Sequence, residues 1–180
     1  MEYTKGTIEV YTIVGEIVRF LRLITEEDVE KQEFVEKMVK LLPLLYLKTT
    51  LVEVPEEAIS AVQLEDVGGY ITEGDYEDLR NNITEILGND DNFLTISNAE
   101  TEMSDTPVLG TISECLADLF QSMSNFVGLC QSGESEAIAM GIAYFVSDFR
   151  EYWGGILLSA LGALHNIYIS NINATADAEA

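Results

Sequence analysis

The sequence predicts an all-α protein, a single domain over residues 1–172 built as a bundle of about five or six helices. Three observations lead there. Apolar residues recur at intervals of three and four over long stretches, which places them on one helical face. Cap-forming residues stand just before those stretches. The run from Thr111 to Tyr168 is almost one apolar band broken by small residues, and it supplies most of the core as two or three helices. A chain of 180 residues with 47% hydrophobic content can bury one sizeable core.

The first helix is expected from Thr7 to Ile24. Val10, Ile13, Ile17, Phe20 and Ile24 form one apolar face, and Tyr11, Val14, Val18 and Leu21 form another. Only a narrow strip of Glu9, Thr12, Glu16 and Arg19 is left to face water, so this helix belongs in the middle of the bundle. Thr25-Glu-Glu-Asp28 reads as the turn and cap into a second helix that runs to about Thr49. Phe34, Val35, Met38, Leu41, Leu42, Leu45 and Tyr46 point inward there, and Pro43 is expected to kink it. The β-branched Thr49, Thr50 and Val52 favour an extended exit.

Pro55-Glu-Glu-Ala58 is a good first turn for a short helix over Glu56 to Val62. Gly68-Gly69 ends it. Thr72-Glu-Gly-Asp75 caps a third long helix, Asp75 to Leu87, closed by Gly88. Asn89 to Gly110 reads as an acidic loop in which Asn92 to Ile96 makes a brief strand or anchored segment. Thr111-Ile-Ser-Glu114 is a capping box for the next helix, which ends at Ser132-Gly133. On that helix Glu114, Asp118, Gln121 and Asn125 share one polar stripe. Glu134 to Tyr168 holds five charged residues, at Glu134, Glu136, Asp148, Arg150 and Glu151. One straight helix of that length would be roughly 50 Å, longer than the domain is wide. A break is therefore expected at Ser147-Asp148 or Gly154-Gly155, since glycine weakens a helix. Residues 173–180, rich in Ala, Asp and Glu, are expected to form a disordered tail.

The net charge of −23 narrows the partners. Seven of the nine basic residues precede Thr49, so the second half presents carboxylates without counter-charges. Such a surface repels phosphate backbones and anionic lipid, which excludes nucleic acid as a partner and argues against a membrane surface. A basic protein partner remains compatible. Cys115 and Cys130 lie about 22 Å apart along one helix, cannot pair, and read as small buried hydrophobes of a reducing, cytoplasmic compartment. Tyr152 to Ile172 carries no formal charge. Ser159, His165, Asn166 and Asn171, and the lack of flanking basic residues, argue against a membrane span there. The N-terminus has no signal-peptide pattern. Oligomeric state is not legible.

Several runs together resemble a known family. They are Ile112-Ser-Glu-Cys-Leu-Ala-Asp118 with Gln121 and Phe126, then Phe149, Trp153-Gly154, Leu157, Ala160-Leu161 and Ala163-Leu164-His165. Leu42-Pro-Leu-Leu-Tyr-Leu-Lys48 and Tyr70-Ile-Thr-Glu-Gly-Asp-Tyr76 complete the pattern. The chain resembles the bacterial family catalogued as domain of unknown function 5063 over nearly its whole length. The resemblance implies a single helical domain of bacterial origin and adds no activity. Gly74 and Gly162 depart from the stronger helix formers expected at those places.

Little chemistry is legible. Glu114, Asp118, Trp153 and His165 are the candidate ligand or partner site. His165 is the one histidine, expected just below the surface and bonded to a neighbouring helix. It cannot supply the two Glu-x-x-His pairs of a di-iron bundle, and no nucleophile elbow accompanies it. Trp153, before two glycines, reads as a core anchor. No phosphate-binding glycine loop is present, so neither a metal, a cofactor nor a catalytic group is assigned. The expectation is a soluble acidic module that binds a protein or ligand without catalysis. The alternative is a Mg²⁺-dependent, all-α nucleotide pyrophosphohydrolase-like enzyme using Glu33 and Glu36 with Glu114 and Asp118, since Mg²⁺ prefers carboxylates.

Overall fold

The computed structural model describes residues 5–62, 69–95, 108–131 and 133–178. Helix α1 (Lys5–Glu26) packs on α2 (Lys31–Thr50), α4 (Glu73–Leu87) and α5 (Ile112–Cys130), the central position its two apolar faces demand. Its polar strip does face water, with Arg19 paired to Glu16 and Glu9 to Lys48 of α2. Asp28 does not cap α2. The helix starts three residues later with Glu30 at the cap, and the Glu30 side chain makes no capping hydrogen bond. Pro43 lies inside α2, exposed. The short helix α3 (Glu56–Ser60) follows, as Pro55-Glu-Glu-Ala58 predicts, and its Glu56 pairs with Arg150 across the chain.

Helix α4 begins with a complete capping box. Thr72 accepts the Asp75 backbone N–H, and the Asp75 carboxylate accepts the Thr72 N–H. Gly88 closes the helix at φ +58°, where a side chain would be strained. A 3-10 turn (Gly88–Asp91) leads into β1 (Asn92–Thr95), which pairs antiparallel with β2 (Val108–Thr111). The Phe93 ring lies over Gly110, where an added Cβ would sit 3.3 Å from it. Helix α5 then runs through the centre of the domain, touching α1, α4, α6 (Ser135–Asp148) and α7 (Gly154–Ala178).

Between α6 and α7 the chain makes a π-helical segment, Phe149–Trp153. The two expected break points, Ser147-Asp148 and Gly154-Gly155, bracket it. The wider turn re-aims the helix without stopping it. Before the bulge the helix packs on α5 and α3; after it, on α2 and α5. Gly154 is required here, because a Cβ would lie 2.5 Å from the Phe149 carbonyl oxygen. Helix α7 continues to Ala178, so residues 173–178 are helical rather than the expected disordered tail. A run without glycine or proline from 163 onward gives the helix no reason to stop at Ile172. Residues 179–180 lie outside the described chain.

The core joins all the long helices. Ile17 and Leu21 of α1, Phe34 and Met38 of α2, Ile83 of α4, Phe126 of α5, Phe145 of α6 and Leu164 of α7 are fully buried. Trp153 sits at the π segment with no exposed surface. Its ring centroid lies 4.7 Å from those of Phe145 and Phe149, and its Nε1–H donates to the Phe145 carbonyl at 3.3 Å.

Candidate functional site

The polar side chains of α5 do not form the single exposed stripe that spacing suggests. Glu114 and Gln121 are exposed, whereas Asp118 is half-buried and Asn125 is buried. The inward set is Asp118, Ser122 and Asn125, at steps of four and three. It faces a matching set, Tyr144, Asp148 and Tyr152, at steps of four on α6 and the π segment. Together they make a polar seam along an otherwise apolar helix contact, buried at Asn125 and Tyr144 and reaching the surface at Tyr152.

Asp118 closes one end of the seam. Its Oδ1 accepts the Tyr76 phenol from α4 at 2.8 Å, and its Oδ2 accepts the Tyr152 phenol at 2.9 Å. Burial raises both phenol pKa values well above the ordinary tyrosine value, and the Asp118 carboxylate raises them further. The Cys115 thiol, one turn earlier, is pushed up to about 12 by burial and then by the charges of Asp118, Glu114 and Asp91. A thiol held so far into its protonated form is a poor nucleophile at neutral pH.

Asn125 and Tyr144 close the other end, with Asp148 between the two ends. Asp148 lies within hydrogen-bonding reach of Ser122 and Tyr144, and Asn125 donates to the Tyr144 phenol oxygen at 3.3 Å. Burial raises the Asp148 pKa, and the two neighbours only partly offset it. Asp148 Oδ2 and Asn125 Oδ1 have no hydrogen-bond partner among the described residues. The seam thus links α4, α5 and α6 through satisfied phenols while holding one carboxylate in an unfavourable setting.

A further buried carboxylate is structural. Asp91 accepts the Ser113 backbone N–H and hydroxyl, each at 2.7 Å, and the Thr84 hydroxyl at 3.1 Å. It caps the start of α5 alongside Thr111, whose hydroxyl accepts the Glu114 N–H.

The four residues singled out by sequence separate. Glu114 and Asp118 stay one turn apart, close enough that both charges reach the Tyr76 phenol. Trp153 is in the core, as expected of an anchor. His165 is exposed on the outer face of α7, not below the surface. Helix α7 is apolar on both sides, and it is Trp153, Leu157, Ala160 and Leu164 that turn inward, leaving His165 outside. Glu33 and Glu36 line an open cleft on α2 with Lys37 and Lys40, a cleft that neither Glu114 nor Asp118 lines. Among the described residues no group of three or more His, Cys, Asp or Glu side chains is placed to hold a metal ion.

An apolar notch of about 190 Å³ opens elsewhere on the surface. Ile8 and Tyr11 of α1, Phe126 and Cys130 of α5, and Ile138 and Ile142 of α6 line it. Ile8 and Tyr11 are exposed at its lip, and Met140 is exposed further along α6. The Tyr11 ring meets Phe126 edge-on at 5.9 Å, which ties the notch to the core. Sequence reasoning placed Tyr11, Phe126 and Cys130 on apolar helix faces and assigned no place to Ile8, Ile138 or Ile142. The seam was also missed, although the four-residue spacing of Tyr144, Asp148 and Tyr152 is a signal that could have found it.

A family model described as "Domain of unknown function (DUF5063)" matches residues 2–170. Among solved structures, the chain is similar to protein BF1032 from Bacteroides fragilis, a Northeast Structural Genomics Consortium target. The two are 31% identical with a TM-score of 0.74, over 91% of this chain and 92% of that one. No curated protein matches.

Proposed function

The chain belongs to the DUF5063 family, and on that premise we propose that it is a non-catalytic, cytoplasmic binding module whose partner is a basic protein segment. The observation that carries this reading is the apolar notch between α1, α5 and α6, set in a chain of net charge −23. Apolar side chains left open beside a packed core mark an interaction site rather than a solvated face. A helix that lays one or two apolar side chains into such a notch, with Lys or Arg around them, gains burial at the centre and charge attraction at the rim.

The catalytic alternative has less support. Its two acidic pairs lie on different parts of the surface, and both oxygens of Asp118 already accept phenol hydrogens. Within Ser135–Ala174 the chain is long and apolar enough by composition to cross a membrane. Against that reading, the charge-free run from Tyr152 to Ile172 carries Ser159, His165, Asn166 and Asn171 and has no flanking Lys or Arg at its C-terminal end.

The test is a library of synthetic helical peptides with Leu or Ile at helical spacing and Lys or Arg elsewhere, screened by fluorescence anisotropy. The expected result is binding that weakens with salt and is lost in the Ile8→Glu and Ile142→Glu variants. Binding that ignores both substitutions, or no binding at all, refutes the proposal. Diphosphate release from a nucleotide with Mg²⁺, abolished in Asp118→Asn, would establish the enzyme instead.

A further inference from the structure

Helix α7 has a second, uncharged face, apolar at Leu158, Ile169 and Ile172 and flanked by the exposed Asn166, Ser170 and Asn173. Trp153, Leu157, Ala160, Leu164 and Ile167 turn into the core. The opposite face carries Gly155, Leu158, Gly162, His165, Ile169 and Ile172, all exposed. Leu158 keeps 50% of its surface in solvent, Ile169 40% and Ile172 46%. The solvent side of a helix in so acidic a protein should be charged, yet no residue from Tyr152 to Ile172 carries a formal charge. The six positions step by three, four, three, four and three, the spacing of a coiled-coil seam about 26 Å long.

The sizes along this seam are ordered as well. Laid against a reversed copy of itself about a centre between Ala163 and Leu164, Gly155 faces Ile172, Leu158 faces Ile169 and Gly162 faces His165. Two of the three layers oppose a bulky side chain to a glycine. A Cβ built on Gly155 or Gly162 meets nothing within 4 Å, so both positions have open space for a facing side chain. A parallel pair would instead stack Gly155 on Gly155 and Ile172 on Ile172, leaving voids in one layer and crowding in the next.

We infer that α7 is the seam of an antiparallel homodimer, an isologous contact in which each chain's glycines receive the other's Ile172 and His165. The occupant is a second copy because the stripe is complementary to itself in one orientation. Two chains each carrying −23 can also approach only across a charge-free face. The binding notch lies on α1, α5 and α6, so the two sites are independent.

Analytical ultracentrifugation of the full chain tests this. The expected species has twice the 19.9 kDa monomer mass, and salt strengthens it by screening the repulsion between the two acidic bodies. Leu158→Lys and Ile169→Glu should each give a monomer with unchanged circular dichroism. Gly162→Trp should do the same, again with unchanged circular dichroism, because the monomer has room for the ring. The double variant Leu158→Lys/Ile169→Glu should restore the dimer, since residue 158 of one copy faces residue 169 of the other. A wild type that stays monomeric at high micromolar concentration in high salt overturns the inference. So does a dimer indifferent to all three single substitutions, or a double variant that stays monomeric. A monomer that sediments with phosphatidylcholine vesicles through these same residues would make the stripe a lipid-facing surface and also overturn it.

Discussion

Trp153 allows the packing of the π segment to be tested quantitatively. Its side chain has no exposed surface, and two phenylalanine rings lie at 4.7 Å. Trp153→Ala removes the whole indole from between the buried Phe145 ring and the half-buried Phe149 ring, leaving a gap in the core. Such truncations cost about 3–5 kcal/mol. Trp153→Phe keeps most of the volume and deletes the donor to the Phe145 carbonyl, a loss of about 1–2 kcal/mol. For a domain of this size each kcal/mol moves the melting temperature by about 2–4 °C. The expected drops are therefore about 6–20 °C for alanine and about 2–8 °C for phenylalanine, read by circular dichroism. Trp153 is the only tryptophan, so wild-type emission should also be that of a buried indole and shift to the red on unfolding. If Trp153→Ala melts within about 2 °C of wild type, the indole is not the anchor of the bulge and the packing argument fails.

Asp91→Ala should cost about 2–4 kcal/mol in urea unfolding, because it strands the Ser113 N–H and hydroxyl at the start of α5. Asp148 should make stability depend on pH in an unusual direction. Burial raises its folded-state pKa, so the folded protein holds a proton that the unfolded chain has released. Stability from this group is full below the unfolded value, about 3.9, and is lost as pH rises through the folded one. Asp148→Asn should therefore melt above wild type at pH 7, with the difference vanishing below about pH 4; a variant less stable at pH 7 would contradict this. Cys115, with its thiol pushed up to about 12, should react with a disulfide reagent at pH 8 about two orders of magnitude more slowly than an exposed cysteine, and faster in Asp118→Asn. Rapid labelling of Cys115 in the native protein would show that burial and the neighbouring carboxylates do not suppress its thiolate.

What the sequence disclosed was local. Thr72 and Asp75 announce a capping box by their spacing, and both bonds form. Gly88, Thr111 and Pro55 mark boundaries in the same way, since each acts within a few residues of itself. The partner strand Val108–Thr111 was not legible, because four residues with one glycine show no period and its register depends on Asn92, nineteen residues from its partner Thr111. Asp91 looked like one more acid in an acidic loop; only the fold puts Ser113 against it. The interior seam was hidden for a related reason. Asp118 and Tyr152 each look like ordinary polar positions on a helix surface, and the π bulge between α6 and α7 decides that they meet. His165 was misplaced because a helix apolar all round does not say which side turns inward.

The central functional claim is that an acidic surface and an apolar notch act together on a basic helical segment. Its most direct test is a titration of the tightest-binding basic helical peptide against the full chain at rising salt, with Ile8→Glu measured beside wild type. Affinity in the wild type should fall steadily as salt screens the charges, and the variant should not bind at low salt. Affinity unchanged by salt, or equal in the two proteins, would contradict the claim.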